Sequence, residues 1–340
     1  MSKNKKTTIK DIADELGVSN ALVSFVLNGK NKEKRISDIM TKKVLDAARQ
    51  MNYKPNYLAK SLRTGKSQII ALIIADISNP FFAKFARHIE IEASKYKFKV
   101  VFANSDENKK KFANELELLK ERKVDGFILT PPIGCENELI QLQKEKFPFV
   151  IVDRLFEKIR THTVNINNYQ AGFDATMRLI NNNRKNIAIV NVNNQLFTMK
   201  QRANGYEDAL IQSGISVNQA LMKHLKFSHD KKLIMKAIQE LIKEGIDGIL
   251  FTTSKLTMLG YECLMEMEIN IPKDLSIISF DNMDAYRVTR TPISAVVQPI
   301  ELMSKEAVRI LIEMMEGNEG SKPYESVVKN VNFLYRESCP

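Results

Sequence analysis

The chain has 340 residues, 44% of them hydrophobic and 27% charged, with a formal net charge of +11 at pH 7. Such a length suits a small module joined to a large one with a substantial buried core. No run of about eighteen apolar residues is present, which excludes a membrane-spanning helix, and the polar, basic stretch Met1 to Thr8 is unlike a secretory leader.

The positive charge is concentrated in residues 1–66, which hold fifteen Lys or Arg against six acids. A local field of this kind fits a polyanionic partner such as a nucleic-acid backbone, and it also fits a solvated tail or linker. Cys135, Cys263 and Cys339 have neither CxxC nor metal-ligand spacing. They read as free thiols in a reducing cytoplasm, with no metal site expected.

Thr8 is placed to cap a helix with Asp11 in a capping-box position, and Ile9, Ile12, Ala13 and Leu16 follow with helical spacing. Gly17 supplies a left-handed stop and Ser19 caps a second helix, which leaves only a tight turn between them, as in helix-turn-helix modules. In that second helix Val23, Val26 and Leu27 are expected to face the core, with Asn20, Ala21, Ser24, Phe25 and Asn28 outward. Small and amide side chains on that face suit base-edge contacts in a major groove, and they equally suit the plain surface of a helical hairpin. A third helix is expected from about Asp38 to Met51, burying Val44, Leu45, Ala48 and Met51. The loop before it offers Lys30, Lys32, Lys34 and Arg35 to phosphates.

Asn56 to Arg63 is long enough for about two helical turns, too short to be stable alone in water. Leu58 and Leu62, four residues apart, suit a connector packed on the body. Beyond it apolar runs alternate with amphipathic stretches. Strands are expected at Ile69 to Ala75, Lys99 to Ala103, Gly126 to Thr130, Phe149 to Val152, Ile187 to Val192, Gly248 to Thr252 and Leu275 to Phe280. Helices are expected near Phe81 to Lys95, Lys109 to Glu121, Tyr169 to Ile180, Met199 to Gln212, Lys232 to Lys243, Thr257 to Met267 and Ile300 to Met315. Continuous apolar strands alternating with helices imply parallel sheets covered on both faces. Two such units side by side form a cleft at the carboxyl ends of their strands. The second unit is expected to begin near Ile166, and the chain to recross near Ser294. No GxGxxG, Walker loop, GxSxG, HExxH or Cys-His pairing is present, and the four histidines are isolated, so no cofactor or catalytic chemistry is indicated.

Thr8 to Ala13, Gly17-Val18-Ser19, Val23-Ser24, Val26 to Gly29 and Asn52 to Asn56 resemble the headpiece of lactose repressor/galactose repressor family regulators, with a nearly gap-free match through Lys66. Asn79 to Phe82, Val124 to Gly126, Val152-Asp153-Arg154, Asn186 to Ala188, Arg202 with Gly205, Ile271 to Ser276, Ser279 to Asn282 and Val297 to Pro299 are similar to pieces of that family's effector domain. The resemblance implies a small all-α helix-turn-helix headpiece at 1–55 and a hinge helix or linker at 56–66. It further implies an α/β two-lobed, periplasmic-binding-protein-like effector-binding and dimerisation domain at 67–340. Lobe 1 is expected at about 67–165 and 294–327, and lobe 2 at about 166–293 and 328–340.

By this resemblance Asn20, Ala21, Ser24 and Phe25 sit where operator bases are read, and Thr8, Ser19, Asn28, Lys34, Tyr53 and Asn56 complete the DNA-binding set. Leu62 is placed as a wedge opening a base step in the minor groove, with Ala59 permitting close approach of a dimer mate. Family members commonly carry Thr at position 22 and Arg at position 25, where this chain has Leu22 and Phe25. The change removes a guanine reader and brings Phe25 within the chemistry of a thymine methyl.

In the body the resemblance puts Phe81 and Phe82 against a ligand ring and has Asp153, Arg202 and Asp281 hydrogen-bond its polar groups. Carboxylates accept from vicinal hydroxyls and a guanidinium donates to them, which suits a sugar. By residue type alone, the two phenylalanines also fit helix-start packing and the two aspartates fit turn caps. Ser254-Lys255 stands where family members often have Asn-Asp, which sets Ser254 at the cleft edge; a Lys255 facing the cleft suits an anionic or phosphorylated sugar, and one facing solvent leaves a neutral sugar equally open.

The implied function is a cytoplasmic, homodimeric transcriptional regulator, a repressor by expectation, without cofactor or catalysis. Its hold on a near-palindromic double-stranded operator is then controlled by a small sugar-like effector. An unregulated DNA-binding protein with a vestigial body also fits, as does a sugar-modifying enzyme, although the last leaves the basic headpiece unexplained.

Overall fold

Thr8 sets the start of α1 (Ile9–Leu16): its hydroxyl accepts from the Asp11 amide at 3.3 Å, and the Asp11 carboxylate accepts from the Thr8 amide at 2.7 Å. Two backbone donors that the first turn leaves unpaired are thereby satisfied. Gly17, at φ 61°, ends the helix, and the Ser19 hydroxyl accepts from the Leu22 amide at 3.2 Å to open α2 (Asn20–Leu27). Ser37 caps α3 (Asp38–Gln50) in the same way. Ile12, Ala13, Val23, Val26, Val44, Ala47 and Ala48 form the buried core of this three-helix unit.

Leu45, expected in that core, is 37% exposed, and Ala47 takes its place. The buried stripe of α3 runs 44, 47, 48 with Met51 packed against it, and residue 45 lies about 100° around the helix from Val44.

The computed structural model describes residues 7–54, 65–156, 159–192, 195–226, 230–317, 325–328 and 331–340. Contacts divide the chain into Met1–Gly65 and Lys66–Pro340. Asn56, Ala59 and Leu62, and with them residues 56–64 of the expected hinge, lie outside the described residues.

The larger unit begins with β1 (Ile69–Ile74), α4 (Pro80–Lys95), β2 (Lys99–Asn104), α5 (Lys109–Glu121), β3 (Gly126–Leu129), α6 (Glu136–Lys144), β4 (Phe149–Val152) and β5 (Thr163–Ile166). It continues with α7 (Asn168–Asn181), β6 (Ile187–Val192), α8 (Phe197–Gln212), β7 (Met222–Leu225), α9 (Lys231–Lys243), β8 (Gly248–Phe251), α10 (Ser254–Glu266) and β9 (Ser276–Phe280). The last elements are β10 (Ser294–Val297), α11 (Ile300–Met315), β11 (Glu325–Val328) and β12 (Asn332–Leu334).

Two six-stranded sheets result, ordered β11-β5-β4-β3-β1-β2 and β12-β10-β9-β8-β6-β7. Strand pairing is parallel except between β10 and β12. The strands β1, β3, β4, β6 and β8 are buried almost throughout, as parallel strands covered on both faces must be.

The recrossing point differs from the expected Ser294. Ser294–Val297 pairs with β9, Ala295 opposite Ser279, and so belongs to the second sheet. The chain crosses only after it, and α11 then packs against α4 of the first lobe. It crosses back beyond β11, which pairs with β5 on the edge of the first sheet, so 328 belongs to the first lobe. The helix α6 and the strands β5, β7, β10, β11 and β12 were not expected. In β5, Thr163 and Asn165 break the apolar pattern, yet all four of its residues are buried.

Within the second lobe α7 and α8 approach to backbone contact through two glycines. A Cβ at Gly205 would stand 2.1 Å from the Tyr169 carbonyl oxygen, and one at Gly172 would stand 2.4 Å from that of Arg202. Neither neighbour is a flexible side-chain tip, so a methyl group must push the helices apart. Gly172→Ala is expected to cost about 3 kcal/mol in urea unfolding and to displace Arg202. A loss below about 0.5 kcal/mol, within the range of an ordinary surface substitution, would contradict the close packing.

Candidate functional site

The outward side of α2 carries Asn20 and Ala21, both exposed, and Ser24 and Phe25, both half-buried. Asn28 is committed to the end of this helix, since its Nδ2 donates to the Ser24 carbonyl at 2.7 Å and to Ser24 Oγ at 3.3 Å. The Lys34 ammonium lies 5.5 Å from the centre of the Phe25 ring and 3.0 Å from the Glu33 carboxylate. The hydroxyl oxygens of Thr8 and Ser19 accept from backbone amides as helix caps. Tyr53 is half-buried, and burial pushes its phenol pKa upward.

In the larger unit a cleft of about 420 Å³ opens between the lobes. Asn79, Phe81, Phe82, Glu107, Asp153 and Arg154 line it from the first lobe, and Val192, Leu196, Met199, Arg202, Thr253, Asp281 and Gln298 line the rest. Asp153 directly follows β4 and Asp281 directly follows β9, with φ of 56° and 71°. Both therefore turn at the carboxyl ends of their strands, in a left-handed conformation that Asp tolerates better than most residues.

Phe81 and Phe82 stand at the start of α4 behind the Asn79 cap and Pro80. Their rings meet edge to face at 5.0 Å, and Phe81 stacks on Phe85 at 6.3 Å. At 5% and 4% exposed they belong to the core and also line the cleft, so the packing and binding readings describe one pair of side chains.

Arg202, from α8, is 1% exposed. Its Nε donates to Asn168 Oδ1 at 2.9 Å and its Nη1 to the Thr252 carbonyl at 2.6 Å, while the guanidinium lies 3.5 Å from the centre of the Phe280 ring. Burial pulls its pKa down, and the carboxylates of Asp281 and Asp153 oppose that.

Arg154 is held between two acids. Its Nη2 donates to Glu107 Oε1 at 2.6 Å, and its Nη1 to the Asp153 carboxylate and, at 2.7 Å, to the Asp153 carbonyl. Burial works against this charge, but Glu107 and Asp153 outweigh it and hold the guanidinium pKa above its usual value.

On Asp281, burial pushes the carboxyl pKa up to about 6, against the pull of Arg202 and of Gln298, whose Nε2 donates to Oδ1 at 2.6 Å. Two cleft atoms, Arg154 Nε and Gln298 Oε1, are buried without a hydrogen-bond partner among the described residues.

Ser254 departs from its expected place. It is fully buried at the start of α10 and does not line the cleft; its carbonyl accepts from the Tyr286 hydroxyl at 3.2 Å. The preceding residue, Thr253, lines the cleft and caps α10 by accepting from the Leu256 amide at 3.2 Å. Lys255 is not among the lining residues, so the charge expected at the cleft edge is absent from the lining.

Asn79, Glu107, Arg154 and Gln298 line the cleft although they were not singled out as ligand contacts. Three of them stand inside the family-like segments at 79–82, 152–154 and 297–299. Glu107 had no such signal: it faces inward because Asp106 and Glu107 both adopt positive φ after β2, at 51° and 53°.

The raised Asp281 pKa has a definite sign for stability. Its folded value of about 6 lies above the ordinary 3.8, so folding favours the protonated form. Stability is lost as pH rises from about 4 to about 6 and stays lower above that, by up to about 3 kcal/mol from this group. Asp281→Asn, which keeps an acceptor for Gln298, is expected to shrink the fall in Tm between pH 4.5 and pH 7. An unchanged Tm profile across that range would contradict the assignment.

Among the described residues no helix is long and apolar enough to cross a membrane. Residues 8–56 match the bacterial regulatory proteins of the lacI family, and residues 67–312 match the periplasmic binding proteins and sugar binding domain of the LacI family. The chain is 32% identical over 311 residues to catabolite control protein A of Priestia megaterium, covering 91% of this chain and 92% of that protein. It is 27% identical to the ribose operon repressor of Haemophilus influenzae, covering 97% and 98%. Among solved structures, the CelR transcriptional regulator in complex with cellobiose has the same fold, with a TM-score of 0.72 at 23% identity over 98% of this chain and 100% of that one. The CcpA transcription regulator of Lactococcus lactis aligns with a TM-score of 0.73 at 22% identity over 80% and 99%. With both parts matched in order along its length, the chain belongs to the LacI family of transcriptional regulators, a DNA-binding helix-turn-helix headpiece followed by the family's sugar-binding domain.

Proposed function

We propose that the chain is a homodimeric, cytoplasmic repressor whose affinity for a near-palindromic operator changes when an uncharged sugar binds, unaltered, in the interlobe cleft. The carrying observation is that cleft: a carboxylate at a strand end in each lobe, an immobilised guanidinium, and two phenylalanine rings. Hydroxyls that accept from Arg202 and donate to Asp153 and Asp281, over an apolar ring face on Phe81 and Phe82, fit this arrangement.

The two unpartnered atoms support the same ligand chemistry, because a hydroxyl accepts from Arg154 Nε and donates to Gln298 Oε1. Three carboxylates against two guanidiniums favour an uncharged ligand over a phosphorylated one, since Arg154 is already neutralised by Asp153 and Glu107. The names of related proteins, a ribose operon repressor and a cellobiose-bound regulator, point to the same class. A ligand touching both lobes biases their relative arrangement, and coupling of that kind to DNA is commonly worth about 1 to 3 kcal/mol.

For the DNA side, Asn20, Ala21, Ser24 and Phe25 read bases, with Asn28 fixing the end of their helix. Thr8, Ser19, Lys34, Tyr53 and Asn56 meet the backbone, and Ala59 and Leu62 enter the minor groove between paired hinges. Support comes from the family match over residues 8–56 and from the basic charge of residues 1–66. In a two-fold dimer each headpiece takes one half-site, hence the near-palindrome.

Selection of duplexes from a random pool, repeated with a panel of neutral sugars, is expected to enrich a palindromic site whose retention changes with at least one sugar recovered unconsumed. Absence of any enriched sequence, or chemical conversion of the sugar, would overturn the proposal. Leu62→Ala is expected to weaken binding to the enriched site at least tenfold while leaving the Tm of the body unchanged. Undiminished affinity would remove Leu62 from the interface.

A further inference from the structure

The strongest unused feature of the headpiece is the chemistry of its α2 helix. Over Asn20–Leu27 it carries no charged residue, whereas the following loop exposes Lys30, Lys32, Lys34 and Arg35. Cations are thus available for phosphates beside the helix, and none projects from the helix itself. Reading guanine in a major groove relies chiefly on Arg or Lys donating to O6 and N7. Of the outward residues, Asn20 offers an amide, Ser24 a hydroxyl that accepts from Asn28, and Ala21 and Phe25 only apolar surface.

The Phe25 ring is half-buried, with the Lys34 ammonium 5.5 Å from its centre. That cation–π contact favours keeping the ring at the surface, beside the charge, rather than folded into the core. A surface aromatic on a base-reading helix has one preferred partner in the major groove, the C5-methyl group of thymine. The amide of Asn20 has the matching geometry for adenine N6 and N7.

We propose that α2 reads A·T pairs in each half-site, Asn20 on adenine and Phe25 with Ala21 on thymine methyls, and makes no guanine contact. The proposal rests on the reading that α2 lies in the major groove, and its test separates the two. Half-sites enriched from a random pool are expected to hold A·T at the pairs beneath α2. Each thymine is then replaced singly by deoxyuridine, which lacks only the methyl group, and the wild-type full chain is titrated. One position per half-site is expected to lose about fourfold in affinity, the value of one buried methyl.

Phe25→Ala is expected to bind thymine and deoxyuridine equally at that position, and Phe25→Arg to shift its preference toward guanine. Should Phe25→Ala fail to fold, the wild-type comparison of the two bases decides alone. Enriched half-sites with G·C beneath α2, or equal affinity for thymine and deoxyuridine at every position, would overturn the proposal and leave the repressor reading standing. Enrichment of no sequence would overturn both.

Discussion

A buried guanidinium is the constraint around which the larger unit is built. Taking the charge of Arg202 out of water costs several kcal/mol unless its donors and its field are compensated. The structure supplies compensation from four directions: Asn168, the Thr252 carbonyl, the Phe280 ring and, at longer range, Asp281. Asn168 opens α7 and Arg202 sits in α8, so their hydrogen bond depends on how closely those helices approach. Gly172 and Gly205 set that approach, which makes the glycine contact a condition for the geometry of the cleft.

The same cleft divides its charges unequally. The charge of Arg154 is balanced by two acids of its own lobe, while Asp281 is pushed by burial toward its neutral form despite Arg202 and Gln298. A ligand rich in hydroxyl groups suits such a surface because it can donate to one group and accept from the next without importing charge. In the headpiece the chemistry is split as well, with cations in the loop and an uncharged helix beside them. In the proposed reading, electrostatic attraction there holds the duplex, and discrimination falls to an amide, a methyl and a ring.

Much of the fold was legible in the sequence because its signals are local. Thr8, Asp11, Gly17 and Ser19 act within one turn of themselves, and β4 and β6 are apolar runs that can only be buried strands between helices. What failed depended on contacts far along the chain or on small rotations. The segment at Ser294 was expected as a crossing between lobes, and its pairing with β9 instead makes it a strand of the second sheet. Leu45 and Ser254 were each misplaced by a single step around a helix. The aspartates and Arg202 were found through resemblance, whereas Glu107 is brought into the cleft by two consecutive left-handed residues that its surroundings do not announce.

The central claim is that cleft and operator bias one equilibrium, and thermodynamic reciprocity tests it most directly. The affinity of the sugar that alters duplex retention is measured by titration calorimetry with the free protein and with the protein saturated by its enriched duplex. The account predicts that the duplex changes sugar affinity by the same factor as the sugar changes duplex affinity. Identical sugar affinity in both states, with the duplex bound, would contradict it.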